Sequence, residues 1–317
     1  MSAQYHRCMD RAAKIYVAGH RGMVGSAIVR RLQQCGYSNI LVRTRQELDL
    51  LDQRATHAFL AEHRPDFVFI AAAKVGGILA NDTYRADFIH ENLQTMLNLV
   101  HGSHLAGVER LLFLGSSCIY PKLAPQPIRE ESLLSGPLEE TNAPYAIAKI
   151  AGITMCESYT RQHGRRYTSA MPCNLYGPGD NYDPEGSHVI PAIIRKVHHA
   201  KVRHEPSVPV WGTGTPRREF LFVDDLADGC IRLMELGYDG PFVNIGSGTD
   251  VTIRELVELV MEVVGYTGSI DFDTTKPDGT PRKLMDVSRI NALGWKATTS
   301  LRDGLRIAYD DFLARHM

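Results

Sequence analysis

The 317-residue chain has no apolar run near the roughly 18 residues needed to cross a bilayer; its best stretch, 67–80, is interrupted by Lys74 and two glycines. Its opening, MSAQYHRCMDRAAK, carries no apolar core of the secretory type, so a cytoplasmic protein with no membrane partner is expected. Net charge is equally scant. Thirty-five basic and 36 acidic side chains leave a formal charge of −1, which excludes a global attraction to nucleic acid or anionic lipid. Any phosphate must therefore be held locally. The six cysteines, at 8, 35, 118, 156, 173 and 230, form no CxxC pair and no ligand-like spacing with histidine. Reduced, mostly buried thiols and no metal site are expected. Internal repeats and low-complexity tracts are also missing.

What is present is the balance of a globular protein, 44% hydrophobic and 22% charged. The length exceeds one ordinary core of ~100–200 residues, which predicts a large α/β domain with a smaller second lobe. From Lys14, short apolar runs (KIYVAG, ILV at 40–42, FVFIAAA at 67–73, RLLFLGSS at 110–117, RYTSAMPCNLYG at 166–177) alternate with helical stretches near 23–36, 53–63, 86–106 and 145–163. Such alternation predicts parallel βαβ units, a doubly wound Rossmann sheet over residues 1–177. Helices near 190–200, 224–236, 252–264 and 301–314 and strands at 208–211 and 242–246 predict a mixed α/β C-terminal substrate lobe over 178–317. Because FVNIG at 242–246 reads as another buried strand, the chain is expected to return to the first sheet at about 219–247, making the division discontinuous. Five prolines and four glutamates in 121–144 predict an ordered surface loop.

The first strand runs into Gly19-His20-Arg21-Gly22-Met23-Val24-Gly25, which opens directly into a helix. Glycines at Gly19, Gly22 and Gly25 allow a tight turn, close approach of a pyrophosphate and helix-on-strand packing, while the helix start presents N–H donors to the anion. The second strand ends in Arg43-Thr44-Arg45 rather than in the carboxylate that would receive a ribose 2′-hydroxyl. Guanidinium groups pair with a 2′-phosphate, so Arg45, with Arg21 from the turn, favours NADP(H) over NAD. Asp52 is left with two roles, acceptor for the adenine amino group or cap of the following helix.

Ser116 and Ser117 end the fourth strand, and a later helix begins Tyr145-Ala-Ile-Ala-Lys149. Positions i and i+4 share a helix face, so Lys149 is expected to favour the Tyr145 phenolate. Ser116 is preferred to Ser117 for holding a carbonyl oxygen against that phenol. Glycine turn, serine-ended strand and YxxxK, in this order, resemble the extended short-chain dehydrogenase/reductases. The resemblance implies that Ser116, Tyr145 and Lys149 act at a sugar carbon during hydride transfer, that Lys149 also binds the nicotinamide ribose, and that Pro172, Asn174 and Leu175 lie beside the nicotinamide.

The strings GHRGMVGSAI (19–28), GSSCIYPK (115–122), PYAIAKIAG (144–152) and KPDGTPRK (276–283) are similar to the epimerase-reductases of that family over about 14–317. That similarity implies NADPH, a GDP-4-keto-6-deoxy-D-mannose substrate and a homodimer through the helices near 86–106 and 145–163. Inverting C3 and C5 of a 4-ketosugar requires two acid–base groups. Cys118, whose thiol a positive neighbour would acidify, is the candidate base. His188, which matches the family's proton donor and is also assigned to the cofactor site, precedes an apolar helix for which it is equally a candidate cap. Lys196, Trp211, Arg218, Asp278 and Arg282 are expected to bind the nucleotide sugar, with Arg195, Arg217 and Lys283 adding to the same positive field. The remaining histidines, His198 and His199 among them, read as surface residues. Two rivals remain: a 4-epimerase or 4,6-dehydratase of the same superfamily, and a cofactor-sensing protein without catalysis.

Overall fold

A computed structural model describes residues 9–184, 186–276 and 278–317. In chain order its elements are β1 (Ile15–Ala18), α1 (Met23–Gln34), β2 (Ile40–Leu41), α2 (Gln53–His63), β3 (Phe67–Ile70), α3 (Ile78–Thr83), α4 (Arg85–Leu105), β4 (Arg110–Leu114), α5 (Ala143–His163), β5 (Arg166–Pro172) and β6 (Asn174–Tyr176). There follow α6 (Val189–Val202), β7 (Ser207–Trp211), β8 (Arg217–Phe222), α7 (Val223–Leu236), β9 (Val243–Ile245), β10 (Asp250–Thr252), α8 (Ile253–Val264), β11 (Ser269–Asp273), β12 (Arg282–Lys283), α9 (Ser288–Ala292) and α10 (Leu301–His316).

Every residue of β1, β3 and β4 is buried, which is why IYVA, FVFI and RLLFL read as unbroken apolar runs. They lie in a six-stranded parallel sheet of order β2-β1-β3-β4-β5-β9, the doubly wound fold. Burying a side chain such as Leu111 or Leu112 contributes about 1.5–3 kcal/mol each. Helix α7 lies against α1, where Arg30 pairs with Asp224 and Arg31 with Asp228. A second apolar cluster gathers Ile194 and Val197 of α6, Leu256 and Val260 of α8, and Leu305 and Phe312 of α10.

The run 166–177 is not one strand. It leaves the parallel sheet at Cys173, whose N–H still reaches Ile245, and residues 174–176 pair with β8. β5 is almost wholly buried and β6 half-buried, but the apolar character of the sequence gave no sign of the break. Residues 219–222, read from sequence as part of the returning segment, complete β8 in the second sheet; β9 is the strand that lies beside β5. Strand β8 carries β10 on one edge and β12 followed by β6 on the other. The loop before α5 is tied down at Ile128, which exchanges backbone hydrogen bonds with Leu284 and Asp286. His198 is not a surface residue: it is buried, with Nδ1 2.9 Å from the Tyr309 hydroxyl. Cys8 lies outside the described residues; the five described cysteines are unpaired, and Cys156, Cys173 and Cys230 are buried.

Candidate active site

The C-terminal ends of β1 and β4 and the break between β5 and β6 lie at one edge of the parallel sheet, the place where open α/β sheets bind ligands. At β1 the turn is wedged shut. Gly19 adopts φ +86°, where a Cβ would fall 2.6 Å from Ala72 N, and a Cβ on Gly25 would lie 2.1 Å from Gly19 O. Gly22 donates to Gly19 at 3.0 Å, and Met23 and Val24 form the first residues of α1. Beside the turn, Gly19, Arg21, Gly22, Arg43, Thr44 and Arg45 help to line a cavity of about 600 Å³.

Arg43 is committed elsewhere, to Val42 O at 2.8 Å and to the His63 ring at 3.3 Å. Arg21 has no ion pair among the described residues, and Arg45 makes only long contacts to Asp49 (4.0 Å) and Glu91 (3.9 Å). A glycine cradle with two uncommitted guanidinium groups at its rim fits a dinucleotide carrying an extra phosphate. Asp52 is seen as the cap of α2, accepting from Ala55 N at 2.9 Å.

At β4 the chain turns through Ser116, whose extended backbone (φ −162°, ψ 148°) starts a short 3₁₀ turn containing Cys118. Ser116 Oγ accepts from the Cys118 backbone N–H at 3.4 Å and acts on both the Tyr145 phenol and the Cys118 thiol, favouring their ionised forms. Lys149, one helical turn beyond Tyr145, donates to Leu114 O at 2.8 Å and sits 5.5 Å from the centre of the Tyr145 ring. Four of the five expected catalytic side chains are thus gathered at the end of β4.

The expected acidification of Tyr145 by Lys149 is not seen. The ammonium is anchored to the end of β4 and lies over the ring, and burial raises the phenol above its ordinary value. Burial also lowers Lys149 to about 8. For Cys118 the predicted acidifying neighbour exists, but burial outweighs it and the thiol rises; the strongest opposing charge is Lys283, ahead of Lys149.

His188 precedes α6 without making a cap hydrogen bond. Its ring is exposed, yet the surrounding protein desolvates it enough to lower its pKa. Among the described residues no hydrogen bond or ring contact joins it to the other four. The 186–187 turn leans on Gly77, and neighbouring Gly76 abuts Phe88, whose ring is edge-on to Tyr145 at 6.4 Å. Pro172 and Asn174 flank the break between the sheets, with Leu175 next on β6; Asn174 Nδ2 donates to Glu219 O at 2.8 Å.

The expected nucleotide-sugar residues divide. Trp211 is 67% exposed, with the Lys196 and Lys276 ammonium groups each 5.6 Å from its ring centre. Asp278 accepts from Thr213 N and Oγ1, and the charge of Asp278 acts on Arg218. Arg282 is turned away: it pairs with Asp250 at 2.5 Å, as Arg217 does at 3.0 Å. Strand alternation is the cause. Arg282 and Arg217 are register partners on one face of the sheet, while Lys283 and Arg218 are partners on the other.

Sequence reasoning gave Lys283 only a general share of positive field, and it missed Glu219. That carboxylate is fully buried and pushed up to about 7 by desolvation, and it accepts from Gly248 N (2.7 Å) and Met285 N (2.9 Å). No motif marks it. Only the RRE string, two arginines followed by a carboxylate at the start of an apolar run, hints at strand alternation.

Residues 15–246 match the NAD dependent epimerase/dehydratase family. GDP-L-fucose synthase 1 of Arabidopsis thaliana is 59% identical over 96% of this chain and 94% of its own length. The GDP-L-fucose synthase of Escherichia coli is 56% identical over 95% and 96%. Among solved structures, a GDP-mannoheptose C4 reductase from Campylobacter jejuni with NADP bound is 40% identical, with a TM-score of 0.89 and coverage of 96% of this chain and 99% of that one.

Proposed function

Because the chain belongs to the NAD dependent epimerase/dehydratase family, we propose that its cleft carries out two reactions at one sugar oxygen, epimerisation beside C4 and reduction at C4. The enzyme converts GDP-4-keto-6-deoxy-D-mannose to GDP-L-fucose with NADPH. The observation that carries the reading is the gathering of the Ser116 hydroxyl, the Tyr145 phenol and the Cys118 thiol at the end of β4.

A C4 carbonyl oxygen received by Ser116 and Tyr145 leaves the thiol beside the carbons that flank it. Those carbons bear hydrogens acidified by the ketone. Cys118, as thiolate, takes the proton from C3 or C5; the two hydroxyls hydrogen-bond the negative charge that develops on O4, and His188 returns a proton to the opposite face. NADPH, held by the glycine turn, Arg21, Arg45 and the 172–175 segment, supplies hydride to C4 when bound. Tyr145 then gives its proton to the C4 alkoxide. The raised phenol suits this step, since it remains protonated at neutral pH.

In this reading the 1–177 region and the segment that rejoins it hold the cofactor, and the 178–317 lobe holds the GDP moiety. Unpaired cysteines agree with a reducing, cytoplasmic setting. The exposed Leu97, Leu105 and Ile147 on α4 and α5 support a homodimer built on those helices.

The test is solvent exchange. With the 4-ketosugar in heavy water and no NADPH, the enzyme is expected to introduce deuterium at C3 and C5. Cys118→Ala should abolish exchange, and Tyr145→Phe should suppress NADPH oxidation at least a hundredfold. Undiminished exchange in the Cys118 variant removes the thiol from the mechanism.

A further inference from the structure

Two backbone N–H groups at the edge of the second sheet find their acceptor in a single side chain. Strand β12 ends at Lys283, so Met285 lies beyond its ladder with β8, and the Met285 N–H donates to Glu219 Oε2 at 2.9 Å. Gly248, in the turn between β9 and β10, donates to Glu219 Oε1 at 2.7 Å. The carboxylate is fully buried and packs on Gly246, where a Cβ would fall 2.3 Å from Oε1. Its register partner in β10 is Asp250, itself taken by Arg217 and Arg282, and no cation pairs with Glu219 among the described residues. A buried carboxylate without a counter-ion is costly, and here the bonds it accepts offset that cost. Two converging donors call for a group that accepts at both ends; an amide in its place would turn a donor toward one of them.

Met285 closes the segment that carries Asp278. Upstream, Asp278 accepts from Thr213 N at 2.7 Å, and Pro281 O accepts from Arg217 N at 2.8 Å. Gly279 lies beside Arg218, a Cβ there standing 3.6 Å from Nη2, and Lys283 is the register partner of Arg218. Downstream, Ile128 bonds to Leu284 O and Asp286 N, but Ile128 belongs to the loop before α5 and not to the second sheet. Past Lys283, the bond from Met285 to the Glu219 carboxylate is, among the described residues, the hydrogen bond that ties this segment to β8.

We propose that Glu219 is a positioning residue for the nucleotide sugar: by clipping Met285 and Gly248 to β8, its carboxylate sets the Asp278 segment against Arg218 so that the two together receive the GDP moiety. The assignment rests on the reading that the 178–317 lobe binds that moiety through Asp278 and Arg218. Glu219 acts through the segment it holds and not on the reacting atoms. Its backbone oxygen separately holds Asn174 Nδ2, a contact that a change of side chain leaves in place, so the cofactor side is unaffected.

The test is steady-state turnover of the 4-ketosugar with NADPH, comparing Glu219→Gln and Glu219→Met with the parent and with Asp278→Ala, while thermal melts report folding. Glu219→Gln keeps one acceptor and should raise KM for the nucleotide sugar about five- to tenfold, the scale of one hydrogen bond; Glu219→Met loses both and should raise it further. In both, kcat should stay within about twofold of the parent and NADPH should bind as before, the pattern of lost uniform binding. Hydrogen exchange on the full-length parent needs no variant: the Met285 amide should be protected before any nucleotide is added, and addition of GDP should add protection at Asp278 and Gly279. A Met285 amide that exchanges as freely as an exposed loop overturns the clip. So does a folded Glu219→Gln protein with parental KM, or one in which kcat and NADPH affinity fall together with KM, the mark of general loosening. Asp278→Ala separates the two readings. Raised KM there with parental KM in Glu219→Gln sinks the clip alone, whereas parental KM in Asp278→Ala removes the segment from the substrate site, and the role of Glu219 with it.

Discussion

Gly25 is the position where one added methyl group should separate the fold's needs from the cofactor's. Its Cβ would stand 2.1 Å from Gly19 O, 2.6 Å from Gly19 C and 2.9 Å from His20 Cα, all backbone atoms that no rotamer change can move. Relief requires the turn and helix α1 to part by about 1 Å, the scale at which overpacking destabilises by about 1–3 kcal/mol. For a chain of this size that corresponds to roughly 1.5–4.5 °C in Tm. The turn cannot retreat, because Gly19 is itself pressed on Ala72. Its N–H groups would then miss a pyrophosphate, and loss of one charge-assisted hydrogen bond weakens NADPH by about 10- to 100-fold. Gly22→Ala is the internal comparison. Its Cβ would meet Gly19 O at 3.5 Å, an ordinary contact, so the variant should melt with the parent. Any affinity lost in it reports close approach of the ligand rather than a damaged fold. The assay is a thermal melt without cofactor together with NADPH titration by fluorescence. A Gly25→Ala protein with parental Tm and affinity, or a Gly22→Ala protein destabilised as much, would refute the reasoning.

Arg45→Ala should weaken NADPH about 10- to 100-fold and NADH by less than threefold, because its exposed 3.9–4.0 Å ion pairs contribute little and leave the guanidinium for the 2′-phosphate. Equal losses in competitive titrations would remove the phosphate contact. Glu219 predicts a pH signature. Its folded-state pKa, about 7, stands above the reference 4.5, so the folded protein binds the extra proton and this contribution to stability is lost as pH rises from about 4.5 through 7. The span is worth about 3 kcal/mol at most. Glu219→Gln should therefore gain on the parent in melts as pH is raised from 5 to 8; a constant difference would mean that the carboxylate does not titrate in that window.

The cofactor half was legible because its signals are local. A glycine at 19 with a helix opening at 23, four strands buried on both faces, and i, i+4 spacing of Tyr145 and Lys149 all follow from chain periodicity. Asp52 was readable as a cap for the same reason. The second sheet was less so: β8, β10 and β12 are short, and β6 continues β5 without any drop in hydrophobicity. Arg282 was assigned to the substrate and Lys283 left as background because a two-residue strand has no visible phase until its partner is known.

Residue order alone determined the doubly wound sheet and marked the glycine turn and the candidate acid–base residues, since each signal depends on spacing within one element and the connection after it. Tertiary structure alone decided which residues of β12 and β8 share a sheet face, that burial rather than Lys149 governs the Tyr145 phenol, and that no cation pairs with Glu219 among the described residues. Those outcomes depend on the packing of segments more than 60 residues apart, where desolvation and register, not local preference, fix the energy of a charge.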